Sequence, residues 1–581
     1  MKYSETALKV LQQRYLKKNA KGEVTETPDG LFRRVAKAIA RAELEWGTEV
    51  DAGKWEGLFY RIMSELLFLP NSPTLMNAGT EMNQLSACFV LPVEDSLDHI
   101  FSTLKLTALV QQSGGGTGFN FSHLRPRNDQ IVKTGGLASG PVSFMKIFDA
   151  ATEHIRQGGR RRGANMGILN IDHPDIETFV TSKKQEGELV NFNISVAVTD
   201  AFMHAVEQNE DWQLIHPVKK YTVKTVPARQ LWELIIQNAW SHGDPGLIFI
   251  DTINKANPTP RLGNIECTNP CGEVPLLSYE ACNLGSINLS LLIKEKNGKP
   301  EIDWDKLGYI VPLAIRFLDN VIEVNQFVTD DIRYMALGNR KIGLGVMGWA
   351  DMLALLEIPY DTNEAVLLAG KLMQFIKDRS NAASADLAKQ RGVFRNWEQS
   401  VYFPHQPLRN ATRLSVAPTG TISIIANTAS SIEPFFAIAY RREQVLEGEK
   451  LLFINPFFID YCKKHQLLNQ QSIQQVLEEG TVQNLAGLPD PVKKIYKTAS
   501  EISPVWHLRH QAAFQRYVDN AVSKTINLPQ TASVEVVDQI YRMAWKESLK
   551  GITIFRSHSK QNQVLHSGVN TRIEGCKVCI E

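Results

Sequence analysis

The chain has 581 residues, 43% of them hydrophobic, enough for a large core in more than one structural layer. Its 63 basic and 62 acidic residues leave a formal charge of +1, which excludes a general electrostatic pull toward nucleic acid or a membrane surface. Cys88, Cys267, Cys271, Cys282, Cys462, Cys576 and Cys579 are too sparse, and odd in number, for a secreted disulfide scaffold. With no signal-peptide core after Met1 and no apolar run of spanning length, a cytoplasmic protein is expected.

The first seventy residues read as helical, with one apolar stripe at Leu8, Val10, Leu11 and Tyr15 and another at Leu31, Val35, Ile39 and Leu44. Lys21-Gly22-Glu23-Val24 and Pro28-Asp29-Gly30 read as turns between them. Ser86-Ala87-Cys88-Phe89-Val90-Leu91 is a short apolar strand carrying the first cysteine. Asp95-Ser96 starts a helix on which Leu97, Phe101, Leu104 and Ala108 recur at helical spacing. Such a stripe is usually core, and a subunit interface is the less common alternative. Ser113-Gly114-Gly115-Gly116-Thr117-Gly118 ends it, and is weak as a phosphate loop because no Lys-Ser/Thr follows. A second helix has Phe144, Phe148, Ala151 and Ile155 on one face and runs into Gln157-Gly158-Gly159-Arg160-Arg161-Arg162-Gly163. Arginine forks between glycines read as a mobile anion clamp, with a solvated basic turn as the alternative. Val190, Phe192, Ile194, Val196 and Val198 alternate strictly, the strongest strand signal in the chain. Strands recur among long helices afterwards, so the class is α/β.

The stretch Glu266-Cys267-Thr268-Asn269-Pro270-Cys271-Gly272-Glu273 sets an amide, a thiol and a carboxylate at alternate positions. In an extended segment or loop tip, Asn269, Cys271 and Glu273 then face one way, and Pro270 and Gly272 break regular structure as a presented loop needs. A plain turn with one buried cysteine explains these eight residues equally well. Gly343-Leu344-Gly345-Val346-Met347-Gly348 matches a dinucleotide fingerprint, but the polar Asn339-Arg340-Lys341 precedes it and no acidic residue closes a second strand. It reads as close helix packing or a turn. Pro418-Thr419-Gly420-Thr421-Ile422-Ser423 is the better phosphate candidate, placed between an apolar strand and a helix start, with a plain N-cap as the alternative. Val537, Ile540, Tyr541 and Ala544 mark a late helix, followed by the strand Gly551-Ile552-Thr553-Ile554-Phe555. The polar tail ends with Cys576 and Cys579. This dithiol is either half of a zinc site or a redox arm; the arm, needing no further ligands, is more economical.

Five segments together resemble the catalytic chains of ribonucleotide reductases: Asn269-Pro270-Cys271-Gly272-Glu273, Ala281-Cys282-Asn283-Leu284-Gly285, Ser72-Pro73-Thr74-Leu75-Met76-Asn77-Ala78-Gly79, Leu85-Ser86-Ala87-Cys88 and Pro418-Thr419-Gly420-Thr421. The resemblance implies a ten-stranded α/β barrel of two parallel half-sheets with a central finger loop. A helical region over 1–70 would precede a barrel over 71–556, with a specificity region near 95–165 and a mobile tail over 557–581. It implies Cys271 as the thiyl radical that takes the 3′ hydrogen of the ribose, Glu273 as acceptor of the 3′-hydroxyl proton, and Asn269 as hydrogen-bond partner of the hydroxyls. Cys88 and Cys282 become the reducing pair, re-reduced by Cys576 and Cys579 and these by thioredoxin or glutaredoxin. Ser72, Ala87 and Gly116 match family positions around the ribose, and Pro418, Thr419, Gly420, Thr421 and Ile422 those on the phosphates. Asp95, Ser96, Leu97 and Arg125 match a dNTP or ATP specificity site, with Gln157, Arg160, Arg161 and Arg162 in the loop that reports effector identity.

Class I chains of this family carry adjacent tyrosines near the last strand, which relay a radical from a metal-containing partner; no Tyr-Tyr pair occurs in this chain. The C-terminal segment of the glycyl-radical class is missing as well. Leu8 to Tyr15 and Asp519 to Pro529 are most similar to class II, which implies adenosylcobalamin as cofactor and ribonucleoside diphosphates as the expected substrates. No Asp-x-His-x-x-Gly cobalamin loop occurs, and class II does not require one. The barrel motifs begin too early for an added ATP-binding cone, so specificity control without an overall switch is expected, in a homodimer through the helices flanking the effector loop. Cys267 takes no role, and Cys462 reads as an ordinary buried cysteine. The competing readings are a class I large subunit needing a separate radical-generating metal subunit, and a nucleotide-binding relative without chemistry. The second has no use for a paired Cys88 and Cys282.

Overall fold

A computed structural model describes residues 3–131, 135–157, 161–446, 449–467, 469–557, 559 and 565–567. Ten strands form the main sheet: β1 (Phe68–Pro70), β2 (Cys88–Val90), β3 (Gly116–Asn120), β4 (Asn165–Asn170), β5 (Phe192–Val198), β6 (Gly246–Phe249), β7 (Ala281–Asn288), β8 (Ile342–Met347), β9 (Thr525–Leu528) and β10 (Gly551–Arg556). β2 to β6 run parallel in sequence order. β7 and β8 are parallel, as are β9 and β10. The two blocks meet antiparallel at β2/β7 and at β6/β10. Parallel bridges Leu344–Leu414 and Val416–Val522 carry the hydrogen bonding from β8 through residues 412–416 to residues 520–523, which lead into β9. With residues 412–416 taken as a strand, the second block has five parallel members like the first, and β1 is an antiparallel addition to β7. The expected two parallel half-sheets are therefore present.

The interior is occupied by a hairpin in which Cys267–Thr268 pairs with Pro275–Leu276. This is why β5 is buried on both faces except at Asn193 and β7 is buried throughout. Strands packed between helices and a filled interior have no solvent face, so the alternation at 192–198 marks a strand without marking an exposed side.

The N-terminal helices Pro28–Ala40 and Glu49–Ser64 share one core with the helix Trp304–Val324, in which Leu31, Val35 and Ile39 join Leu307, Val311 and Leu318. Pro28-Asp29-Gly30 is not a turn but the first helical turn, with Thr27 Oγ1 accepting from Gly30 N–H at 3.1 Å and proline at a position whose N–H has no helical partner. Leu44 is exposed.

Two further expectations are corrected. Gly343 to Met347 is neither a turn nor helix packing but part of β8, whose glycines admit neighbouring strands: a Cβ on Gly345 would lie 2.3 Å from the Ser415 carbonyl oxygen. The polar residues before it are buried because they are paired, Arg340 with Asp319 and Lys341 with Glu280. On the helix Leu97–Gln112 the buried face is Ile100, Thr103, Thr107 and Val110, whereas Leu97 and Phe101 are 64% and 50% exposed. The first half of the stripe expected to be core is thus uncovered in the single chain, while Leu104 packs partly against the core. No helix among the described residues is long and apolar enough to cross a membrane.

Candidate active site

The hairpin tip is a tight turn. Asn269 C=O accepts from Gly272 N–H at 3.0 Å, and Asn269 Oδ1 accepts from Val274 N–H at 3.0 Å. Proline at the second place of this turn and glycine at the fourth suit a type I turn, and Gly272 has φ +81°. The segment is therefore not extended between Asn269 and Glu273; the turn, rather than strand alternation, sets its side-chain directions. Asn269 and Glu273 are buried and Cys271 is exposed.

Both blocks hold the finger. A Cβ on Gly118 would lie 1.8 Å from Thr268 O, and one on Gly116 would lie 2.9 Å from Pro270 Cγ, so β3 is pared to backbone where the hairpin crosses it. Asn193 Nδ2 on β5 donates to Pro270 O at 2.8 Å. From the second block, Ser415 Oγ and Ala521 N–H donate to Glu273 C=O at 2.8 and 2.9 Å.

A cavity of about 280 Å³ opens at the tip. Asn269, Cys271 and Glu273 line it, with Ser72, Ala87, Cys88 and Gly116 on one side and Pro418, Thr419, Gly420, Thr421 and Ile422 on another. Every residue proposed from sequence for ribose and phosphate is thus brought to one space. The phosphate candidate has only a single helical turn, Ile422–Ile425, and no side-chain N-cap, so backbone N–H groups and hydroxyls rather than a long helix dipole are what it offers. The plain N-cap alternative is not what forms. Thr419, at φ +55°, instead accepts from Ser431 N–H at 2.7 Å through Oγ1.

Cys88 and Cys282 are directly opposed across the β2/β7 pair and are both thiols. Opposed residues of an antiparallel pair have Cα atoms about 4.5–5.5 Å apart, a span that a disulfide bridges. Burial pushes the Cys282 thiol well above its ordinary range, opposed by the Lys341 ammonium. Cys267 is also raised by burial, and packs its sulfur toward Gly118. Burial holds the Cys462 thiol up at about 12, within its own hydrophobic cluster. Cys576 and Cys579 lie outside the described residues.

The effector candidates form a separate group. Asp95 takes Arg125 Nε at 2.8 Å and its backbone N–H at 3.1 Å, and Ser96 Oγ caps the helix Leu97–Gln112 by accepting from His99 N–H. Gln157 and Arg161 are backbone partners in a short antiparallel hairpin, and Arg160 lies outside the described residues. Ala164, three residues beyond Arg161, lines the cavity.

Two contributions had no role in the sequence reading. Arg14 and Tyr15 line the cavity from the N-terminal segment; Arg14 is its only lysine or arginine among the described residues, and the Tyr15 and Ser72 hydroxyls are 2.7 Å apart. The similarity of residues 8–15 to class II chains was the available signal. His123 bridges Glu266 at the finger base (2.9 Å) and Glu94 beside the effector candidates (3.3 Å). Its hydrogen bond to Glu266 is the main cause that raises its pKa to about 9, against the opposing effect of burial. No local pattern marks it. Among the described residues no group of three or more His, Cys, Asp or Glu could hold a metal ion.

A family model for the ribonucleotide reductase all-alpha domain matches residues 1–83, and one for the ribonucleotide reductase barrel domain matches 86–405 and 402–555. A vitamin B12-dependent ribonucleoside-diphosphate reductase of Thermoplasma acidophilum is 47% identical over 98% of this chain and 81% of its own length. A protein of the same name from Mycobacterium tuberculosis is 48% identical, with the same two shares. Among solved structures, the Actinobacillus ureae class Id ribonucleotide reductase alpha subunit superposes with a TM-score of 0.78 at 26% identity, covering 96% of this chain and 97% of that one. With matching models over both of its regions and such relatives along nearly its whole length, the chain belongs to the ribonucleotide reductase family.

Proposed function

We propose that this chain reduces ribonucleoside diphosphates to 2′-deoxyribonucleotides by a thiyl-radical mechanism dependent on adenosylcobalamin. The observation that carries the reading is that Cys88, opposed in register to Cys282, lines the same cavity as Cys271 on the finger. In this mechanism Cys271 abstracts the ribose 3′ hydrogen and returns it at the end. Glu273 takes the 3′-hydroxyl proton, and Asn269 donates a hydrogen bond to the ribose. The 2′ hydroxyl leaves as water, and Cys88 and Cys282 supply two electrons and two protons as they become a disulfide. The two half-sheets enclose the base of the finger, and the exposed tip would be shielded from water when cofactor and substrate cover it. Ser72, Ala87 and Gly116 face the ribose, and residues 418–422 face the phosphates, with Arg14 as the cavity's cation.

The finger tip fits the cofactor. Cys271 is exposed, and a Cβ on Gly272 would meet nothing within 4 Å, so the thiol can be approached by a broad group, with Cys271 and Gly272 as the residues that would abut it. When bound, adenosylcobalamin supplies the radical equivalent by homolysis of its cobalt–carbon bond. Names of relatives at 47% and 48% identity support the same cofactor and the diphosphate substrate. We assign Asp95, Ser96, Leu97, Arg125, Gln157 and Arg161 to a nucleotide specificity site. The exposed Leu97 and Phe101 face belongs to a homodimer contact, and Cys576 and Cys579 to a tail served by thioredoxin or glutaredoxin.

The test is turnover of purified chain with adenosylcobalamin, dithiothreitol and either ribonucleoside diphosphates or triphosphates. Cofactor-dependent deoxynucleotide from the diphosphates is expected. Absence of product until a second, metal-containing protein is added refutes the cobalamin reading.

A further inference from the structure

The row that holds the two cysteines continues one strand further. Cys88 on β2 is opposed to Cys282 on β7. On the other side of β7 the parallel register pairs Asn283 with Ile342, so Lys341, one residue before Ile342, stands beside Cys282, one residue before Asn283. Because side chains alternate between faces along a strand, Cys88, Cys282 and Lys341 share one face across three neighbouring segments. Glu280 stands two residues before Cys282. Its carboxylate accepts from Lys341 Nζ at 2.6 Å, Asn339 Nδ2 at 2.5 Å and Leu277 N–H at 2.7 Å, the last at the exit of the finger hairpin. Both members of the Lys341–Glu280 pair are 1% exposed. A buried ion pair rarely outperforms apolar packing of the same volume, so stability alone is a weak account of this one.

The two cysteines are not equivalent. Cys88 lines the cavity, whereas Cys282 is not among its lining residues. A thiolate that enters from the cavity therefore meets the Cys88 sulfur first.

We propose that Lys341 is a positioning residue for re-reduction of the Cys88–Cys282 disulfide: its ammonium, held by Glu280, stabilises the thiolate released at Cys282 when a dithiol in the cavity attacks Cys88. The inference rests on the redox-pair reading above. The incoming thiolate forms a bond to Cys88 Sγ, the Cys88–Cys282 bond breaks, and its electron pair stays on Cys282 Sγ, which then takes a proton. The second thiol of the dithiol, as thiolate, attacks the mixed disulfide at the sulfur the dithiol supplied, closing the dithiol's own disulfide and releasing Cys88 to be protonated. Two thiols are oxidised and two cysteines are reduced. Leaving-group basicity governs such exchanges, which makes a cation at Cys282 effective. The charged groups acting on Cys282 are Lys341, which favours its thiolate, and Glu280 and Glu273, which oppose it; Lys341 also acts on the buried Lys550, whose pKa it lowers after the larger effect of burial.

The test uses the full chain with Cys576→Ser and Cys579→Ser, oxidised with diamide, and follows loss of the Cys88–Cys282 disulfide in dithiothreitol by peptide mapping from neutral to alkaline pH. Lys341→Gln is expected to slow reduction about tenfold at every pH tested. Lys341→Arg is expected to retain the rate, and Glu280→Gln, which keeps the cation and removes its counter-charge, to accelerate it. With 2-mercaptoethanol in place of dithiothreitol, the trapped adduct is expected on Cys88. Equal slowing by Lys341→Gln and Glu280→Gln would show a merely structural pair and overturn the proposal, as would an adduct on Cys282. If diamide never joins Cys88 to Cys282, the redox-pair reading itself falls, an outcome distinct from a disulfide that forms and ignores Lys341.

Discussion

The first block of strands meets the finger by close backbone packing at Gly116 and Gly118, with one hydrogen bond added from Asn193, whereas the second meets it through hydrogen bonds from Ser415 and Ala521 to the Glu273 carbonyl. Steric contact of this kind is all-or-none, because neither the hairpin backbone nor a central strand yields by more than a few tenths of an ångström. Hydrogen bonds fail gradually, each worth about 1 kcal/mol net. One wall therefore sets where the finger lies, and the other adjusts how the Glu273 end of its tip is held.

The strongest way to break this contrast is Gly118→Ala. It places a methyl group against Thr268 O and is expected to cost about 3 kcal/mol or more, with turnover lost. Urea unfolding and the product assay measure both; a variant that unfolds like the parent would show that the first wall does not grip by shape. Next comes Arg14, which belongs to neither block. Arg14→Met is expected to raise KM for the nucleotide about tenfold or more while kcat stays within about twofold, as loss of a charge-assisted contact to phosphate predicts. Steady-state kinetics decide it, and a fall in kcat alone would remove Arg14 from the phosphates.

On the second wall, Ser415→Ala removes one hydrogen bond to the Glu273 carbonyl and is expected to lower stability by about 1 kcal/mol, with a modest loss of kcat. The same assays as for Gly118→Ala compare the walls directly, and equal damage from the two substitutions would erase the distinction. The smallest effect belongs to His123 at the finger base. Its pKa is raised from 6.5 to about 9, so its contribution is fully present below about 6.5 and is lost as pH rises through about 9. The group is partly exposed and solvent-screened, so the expected size is about 1 kcal/mol or less. Urea midpoints across pH should fall over that window in the parent, and His123→Gln should flatten this part of the profile.

Much of the site was readable because its residues sit in contiguous motifs. Asn269, Cys271 and Glu273 share one loop, and residues 418–422 share another, so short-range pattern sufficed to nominate them. Apposition of Cys88 with Cys282 was reachable only through resemblance, since a register between strands 194 residues apart leaves no local trace. Lys341 misled the reading for a physical reason. A run of Asn339, Arg340 and Lys341 normally marks solvent, yet Arg340 and Lys341 are buried against Asp319 and Glu280, partners distant in sequence. The helix at Leu97 erred in the opposite direction, because helical spacing identifies an apolar face without saying what covers it. Arg14 had only the family similarity of residues 8–15 to mark it and His123 no motif at all, and only the folded chain brings them to the cavity and to the finger base.

The turn at the finger tip has one more consequence, for the polarity of recognition. Asn269 Oδ1 is already engaged by Val274 N–H inside the turn. With one Oδ1 lone pair committed there, the Nδ2 hydrogens are the part of the amide that the turn does not use, which favours Asn269 as a donor toward a sugar hydroxyl. A donor rewards an oxygen that carries growing negative charge, as the 3′ oxygen would under the proposed proton transfer to Glu273. The side chain that closes the loop thereby also prescribes in which sense the ribose is hydrogen-bonded. Aspartate at this position could still accept from Val274 and keep the turn, yet it would meet the sugar with the wrong sign.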